Sequence, residues 1–324
     1  MKAVPGADGL SLDDLVRLAR SKLGLVQAIR EIERRPNDFS TKLASEFITL
    51  HLDDGTALPL LVKKVIDRSQ ERRPQPLDSE RLVYEDLGRH PAFAAPSYLG
   101  TIGETDPWLV LAAVDGWDLR YQDLDRWELA ARALGRMHRT FHQELATLRA
   151  LNHLSAFDDD HCRVEAETGY EVATRSHPQT DSHLRAVIAD YGDIAIEVGS
   201  QPATLVHGDL APKNILIEGP PGAEAALFID WEWAGIGLGA IDLVDLVNGL
   251  ETEAAQRLTE AYVDETRGTA LPEGDAAIGR ALDLAHLQRT MFRLGRSADW
   301  NVSAKQVVEW ATVAAELHGR LLAA

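Results

Sequence analysis

The apolar positions of this chain change period about a third of the way along it. Ser11 precedes a helical stretch with Asp13 and Asp14 in its first turn, and Gly24 follows it; the spacing predicts a capped helix over 12–23. Ser-Glu-Phe-Ile-Thr-Leu-His-Leu then alternates between polar and apolar, Asp53-Asp54-Gly55 is a turn signal, and Leu-Pro-Leu-Leu-Val-Lys-Lys-Val follows. Segments 46–52 and 58–65 therefore read as an antiparallel hairpin. The polar stretch 67–78, with two prolines, reads as a loop, 79–90 as a short helix, and 97–103 and 108–114 as two more strands. Residues 30–114 are thus predicted to form a small sheet with one inserted helix.

Beyond Gly116 the pattern turns helical. Trp127, Ala130, Leu134, Met137 and Phe141 recur at spacings of three and four, one face of a helix predicted over 123–148. Further helical patterns lie near 182–198, 240–249, 252–267, 275–294 and 303–322. Short β-rich pieces interrupt them at 203–209, 214–219 and 226–231, with a Pro/Gly turn at 219–222 between the last two. A β-rich lobe, 1–115, thus precedes a larger helical lobe, 116–324, and a cleft between lobes is a natural ligand site. No internal repeat or low-complexity tract appears.

Composition narrows the function classes. With 33 Lys plus Arg against 51 Asp plus Glu, the formal charge of the 324 residues is −18. Nucleic acid and anionic membrane both repel such a chain, so neither is expected as a partner; neutral or cationic partners suit it better. The single cysteine, Cys162, forms no intrachain disulfide and excludes Cys-based metal sites. It fits a reducing, cytoplasmic setting, as does an N-terminus without a signal-peptide apolar run.

The chemistry concentrates in His207-Gly208-Asp209-Leu210-Ala211-Pro212-Lys213-Asn214, followed by Ile229-Asp230-Trp231. Phosphoryl transfer needs a carboxylate to orient, and to accept a proton from, an attacking hydroxyl, and oxygen ligands for a Mg²⁺ that bridges nucleotide phosphates. Asp209, in the loop after a short strand, suits the first task. Asn214 and Asp230 flank the hairpin and suit the second, since Mg²⁺ takes only one or two carboxylates beside phosphate and water.

H-G-D-x-x-x-x-N followed by I-D-W resembles the aminoglycoside phosphotransferase and choline kinase family, distant relatives of the protein kinases. The resemblance implies an α+β, bilobal protein-kinase-like fold, with a small antiparallel-sheet N-lobe for the nucleotide and a helical C-lobe for catalysis and substrate. It implies a lysine on the third strand at the phosphates, here Lys63 or its neighbour Lys64, with Lys63 preferred because it directly follows Leu-Leu-Val. It implies a bracing glutamate on the next helix, Glu80 in Glu80-x-x-x-Tyr84, with Glu85 as the alternative. The loop over the phosphates, 36–43, lacks the family's glycine; Ser40 and Thr41 are its phosphate-binding candidates. The backbone at Ala112 and Val114 is the candidate adenine edge, which leaves ATP and GTP both open as donor. His207 is expected to support the loop structurally, and Asp242 to cap a helix or anchor the loop.

The implied reaction is transfer of a γ-phosphoryl group to a hydroxyl of an aminoglycoside or other antibiotic. A kinase of a metabolic alcohol (choline, an amino-alcohol or a sugar) and a non-catalytic nucleotide-binding relative are the alternatives. A protein substrate is disfavoured, because only 11 residues separate Asp230 from Asp242 and leave no long activation segment. Asp245 reads as helix surface; His286, Arg289 and Arg293 read as surface too, with the far wall of the cleft as their alternative. The acidic run Asp158-Asp159-Asp160 and the pair Glu251 and Glu253 read as solvated charge, His138 as packing, and Cys162 as inert.

Overall fold

The computed structural model describes residues 10–37, 44–64, 78–103 and 107–323. The chain forms two compact units: Met1–Gln122 with Lys213–Trp233, and Asp123–Pro212 with Ala234–Ala324.

In the first unit, α1 (Leu12–Leu23) starts at Ser11, whose hydroxyl accepts from the Asp14 amide at 3.2 Å, and stops at Gly24 in the left-handed conformation, φ 63°. Strands β1 (Ile29–Pro36), β2 (Ser45–Leu52) and β3 (Ala57–Lys64) join β4 (Tyr98–Ile102) and β5 (Trp108–Ala112) in an antiparallel sheet of order β1-β2-β3-β5-β4. Alternation puts Ile48, Leu50, Leu60 and Val62 on one buried face, where they share a core with Leu15 and Ala19 of α1. Lys63 therefore lies on the opposite face from that core, while Lys64 turns toward it, its ammonium 5.6 Å from the Trp108 ring centre.

Helix α2 (Ser79–Leu87) and a second hairpin, β8 (Ile215–Glu218) with β9 (Ala225–Phe228), complete this unit. Buried Trp231, just past β9, packs on Phe93 with ring centres 4.6 Å apart, and Phe93 meets Tyr84 of α2 edge-on at 5.8 Å. The Ser79 hydroxyl donates to the Glu232 carbonyl at 2.7 Å. These contacts tie the start of α2 to the segment that carries Asp230.

The second unit is helical around a three-stranded sheet. Its helices are α3 (Leu124–Gln143), α4 (Leu145–Arg149), α5 (Asp159–Ser176), α6 (Asp181–Ser200), α7 (Ala240–Leu246), α8 (Thr252–Thr266), α9 (Asp275–Arg296) and α10 (Ala304–Ala323). The sheet has order β6-β10-β7, from β6 (Ser155–Ala156), β10 (Gly235–Leu238) and β7 (Ala203–Val206). The helix expected over 123–148 is interrupted at Glu144, which caps both α3 and α4.

Helix α5 is absent from the sequence expectation, and its buried face explains why. Cys162, Ala166, Gly169 and Ala173 are small, so the stripe carries little hydrophobic signal. Small size is what the packing needs: a Cβ at Gly169 would stand 2.4 Å from the Met291 carbonyl oxygen of α9. Asp158 is the N-cap of α5, accepting from the His161 amide at 3.0 Å, and Asp159 and Asp160 occupy its first turn. Gly169→Val is expected to part the two helices at a cost of about 3 kcal/mol, or roughly 6–12 °C in Tm for a unit of this size. Differential scanning fluorimetry checks it, and a variant melting within about 1 °C of wild type contradicts the packing.

Candidate active site

Three charged side chains from three elements of the first unit converge. The Lys63 ammonium, at the end of β3, lies 3.1 Å and 2.8 Å from the two carboxylate oxygens of Glu80 in α2. It also lies 2.5 Å from Asp230 Oδ1. Burial alone would depress the Lys63 pKa, but the Asp230 and Glu80 carboxylates outweigh it and hold the ammonium charged beyond the usual lysine range. Glu80 is 4% exposed; burial pushes its carboxyl above the usual range, since Lys63 serves two carboxylates at once and Asp230 adds repulsion. Glu85, the alternative brace, instead pairs with Arg81 at 2.6 Å on the outer side of α2.

Asp230 stands at φ 70°, a left-handed conformation uncommon for a non-glycine residue. It lies two residues past the β8–β9 ladder, whose last register pair is Ile215 with Phe228. The next bond, from the Ile229 amide to the Asn214 carbonyl at 2.9 Å, holds Asn214 and Asp230 at the same open end. An amide oxygen and a carboxylate oxygen form a hard donor pair, which fits Mg²⁺ rather than a thiophilic metal. Among the described residues no group of three or more His, Cys, Asp or Glu forms a metal cluster.

In the second unit, the loop after β7 carries Asp209. Buried Asp242, in the first turn of α7, anchors it: Oδ2 accepts from the His207 amide at 2.6 Å and Oδ1 from the Gly208 amide at 2.9 Å. The Asp209 amide approaches His207 Nδ1 at 3.3 Å. Burial would raise the Asp242 pKa, yet the His138 hydrogen bond and the charges of His138 and His207 hold it below the usual range. His138 lies 3.3 Å from Asp242 through Nε2 and 2.8 Å from the Tyr262 hydroxyl through Nδ1, so it packs as a fixed strut.

Three residues read from sequence as surface are buried here. Asp245, Arg289 and Arg293 are 6%, 5% and 7% exposed. Asp245 Oδ1 accepts from Arg289 Nε and from Arg293 Nη2, both at 2.8 Å, and Oδ2 lies 2.6 Å from Arg289 Nη2. Arg289 Nη2 also lies 3.8 Å from Asp209 Oδ1. Their stretch of α9, Leu287–Leu294, mixes Gln288 and Thr290 with its apolar residues, so no local sign in the sequence marks the two arginines as buried.

The remaining candidates scatter. Ser40 and Thr41 lie outside the described residues. The Ala112 amide donates to the Ser97 carbonyl at 2.9 Å, and Val114 follows two residues beyond β5. Glu251 and Glu253 are exposed and, with Glu260, line a cavity of about 610 Å³ beside Arg257 and Leu124. Cys162 is fully buried and burial pushes its thiol pKa up, as expected of an inert cysteine.

The phosphotransferase enzyme family, APH, matches residues 46–278, and the chain belongs to that family. Its fold is the protein-kinase-like fold of several solved structures. Macrolide 2'-phosphotransferase MphH from Brachybacterium faecium is 17% identical, with 94% of this chain and 98% of that one covered and a TM-score of 0.57. A microcompartment-associated aminopropanol kinase is 19% identical, covering 95% and 98%, with a TM-score of 0.54. A choline kinase from Cryptosporidium parvum Iowa II is 11% identical, covering 97% of each chain, with a TM-score of 0.61. No curated protein sequence matches.

Proposed function

We propose that the protein transfers the γ-phosphoryl group of ATP or GTP to a hydroxyl of a small cationic alcohol, an aminoglycoside or other amine-bearing antibiotic foremost. The convergence of Lys63, Glu80 and Asp230 carries this reading: a partly buried ammonium fixed by two carboxylates is a cation that can be offered to a polyphosphate. Glu80 keeps Lys63 in place when Asp230 turns to a metal. Asn214 and Asp230 would hold Mg²⁺, which when bound neutralises charge on the β- and γ-phosphates. Asp209 orients the acceptor hydroxyl; its oxygen attacks phosphorus, the bond to the β-phosphate oxygen breaks, and the hydroxyl proton passes to Asp209.

The acceptor class rests on charge. A chain at −18 concentrates cationic solutes, and a cationic nitrogen in the same small molecule as a hydroxyl is common to the aminopropanol and choline named for two of the similar structures. Those two names also support the second reading, a kinase of a metabolic amino-alcohol. No helix among the described residues is long and apolar enough to cross a membrane. A cytoplasmic site is proposed from the lone buried thiol and the nucleotide donor.

Incubation of the full chain with Mg-ATP or Mg-GTP and a panel of antibiotics, amino-alcohols and sugars is expected to yield one acceptor class heavier by about 80 Da, one added phosphoryl group. Turnover confined to neutral sugars would overturn the cationic assignment. Nucleotide binding without any transfer would favour a non-catalytic relative.

A further inference from the structure

Asp245, Arg289, Arg293 and Asp209 all belong to the second unit, and their charges form one account. Two guanidinium groups are buried with a single buried carboxylate, Asp245, shared between them. Two cations against one anion leave a buried positive charge, which a protein interior does not tolerate without a partner. The next carboxylate is Asp209, 3.8 Å from Arg289 Nη2 and 31% exposed at its side chain. At that distance the attraction is coulombic rather than a formed hydrogen bond. Glu165 also attracts Arg289, but its carboxylate is in contact with Gln288 Nε2 at 3.0 Å and His161 Nε2 at 3.4 Å. Arg289 is also fixed laterally, with its guanidinium 4.0 Å from the Phe292 ring centre, and Arg293 donates to Asn248 Oδ1 at 3.1 Å.

We infer that Arg289 is a positioning residue for Asp209: braced by Asp245, it uses Asp209 as its second counter-ion and so keeps that carboxylate aimed. This inference rests on the reaction role proposed for Asp209. A carboxylate held toward a buried arginine has its orientation fixed, so Asp209 serves chiefly to orient the hydroxyl, and the proton moves late in the transfer.

A double-mutant cycle on the full chain tests it in two arms. The kinetic arm uses the acceptor found by mass shift. Arg289→Gln is expected to lower kcat roughly ten- to a hundredfold while KM for the nucleotide changes less than about threefold, and Arg289→Lys to recover most of the loss. With Asp209→Asn already present, Arg289→Gln is expected to cost less than about twofold more, because the residue it serves is gone. Equal losses in both backgrounds, or no loss in wild type, would overturn the inference.

The stability arm needs no acceptor. Asp209→Asn alone leaves two arginines against one carboxylate and is expected to lower Tm by roughly 2–4 °C. In the Arg289→Gln background it leaves a balanced Asp245–Arg293 pair, so the same change is expected to be neutral. A Tm drop equal in the two backgrounds would refute the charge coupling. Near-wild-type turnover of Asp209→Asn would instead refute the proposed reaction role and leave the stability arm standing on its own result.

Discussion

Asp209→Asn is expected to lower kcat roughly 10²–10⁴-fold, the range for removing a positioned acid–base group, while nucleotide affinity stays within about threefold of wild type. The physical reason lies in how the residue is held. Asp242 grips the two amides before it, at 2.6 Å and 2.9 Å, so the loop keeps its shape when the side chain at 209 changes. Asparagine preserves volume but accepts no proton and presents a weaker acceptor to the incoming hydroxyl. Steady-state turnover by coupled nucleoside-diphosphate release, paired with calorimetric titration of the nucleotide, separates the two quantities. Turnover near wild type would show that another group orients the hydroxyl. Loss of nucleotide binding in parallel would show that Asp209 belongs to the donor rather than the acceptor.

What could be read from the chain beforehand follows a physical divide between local and distant causes. Helix α1 was legible because Ser11, two acidic residues and Gly24 are all local signals of its ends. The β2–β3 hairpin was legible because alternation and Asp53-Asp54-Gly55 lie within one turn of chain. The spaced octapeptide and Ile-Asp-Trp pointed to phosphoryl transfer because oxygen donors at the ends of one hairpin are a local arrangement.

Lys63 and Lys64 mark the limit of that reasoning. Alternation says that the two side chains take opposite faces, but only the packing of α1 on the Leu60 and Val62 face shows which face holds the core. Arg289 and Asp245 lie beyond the limit altogether. Their partnership spans 44 positions, and an isolated arginine on a helix carries no mark of the carboxylate that will bury it. Helix α5 escaped for a third reason, since tight interhelical approach selects Ala and Gly, the residues that announce a buried face least. The glycine-bearing strand β10 is a similar case: a Cβ at Gly235 would stand 2.6 Å from the Ser155 carbonyl oxygen, so closeness to β6 removes the β-branched residues that usually mark a strand.

Asp230→Asn is expected to abolish the advantage that Mg²⁺ gives to nucleotide binding, weakening the Mg-nucleotide complex roughly ten- to a hundredfold. The metal-free nucleotide should bind more tightly than before. The substitution suits the site because asparagine tolerates the left-handed backbone at φ 70° that Asp230 occupies. It removes one of the two carboxylates on Lys63, while Glu80 at 2.8 Å remains to hold the ammonium. The loss then reports on charge at the open end of the β8–β9 hairpin and not on collapse of the first unit. Without the anion at 230, a polyphosphate meets Lys63 with less repulsion, which is why the two affinities should move in opposite directions. Titrating the nucleotide with excess Mg²⁺ and again with chelator gives both. A variant whose metal dependence equals that of wild type would show that Asp230 is only the partner of Lys63, and the metal would have to be sought elsewhere.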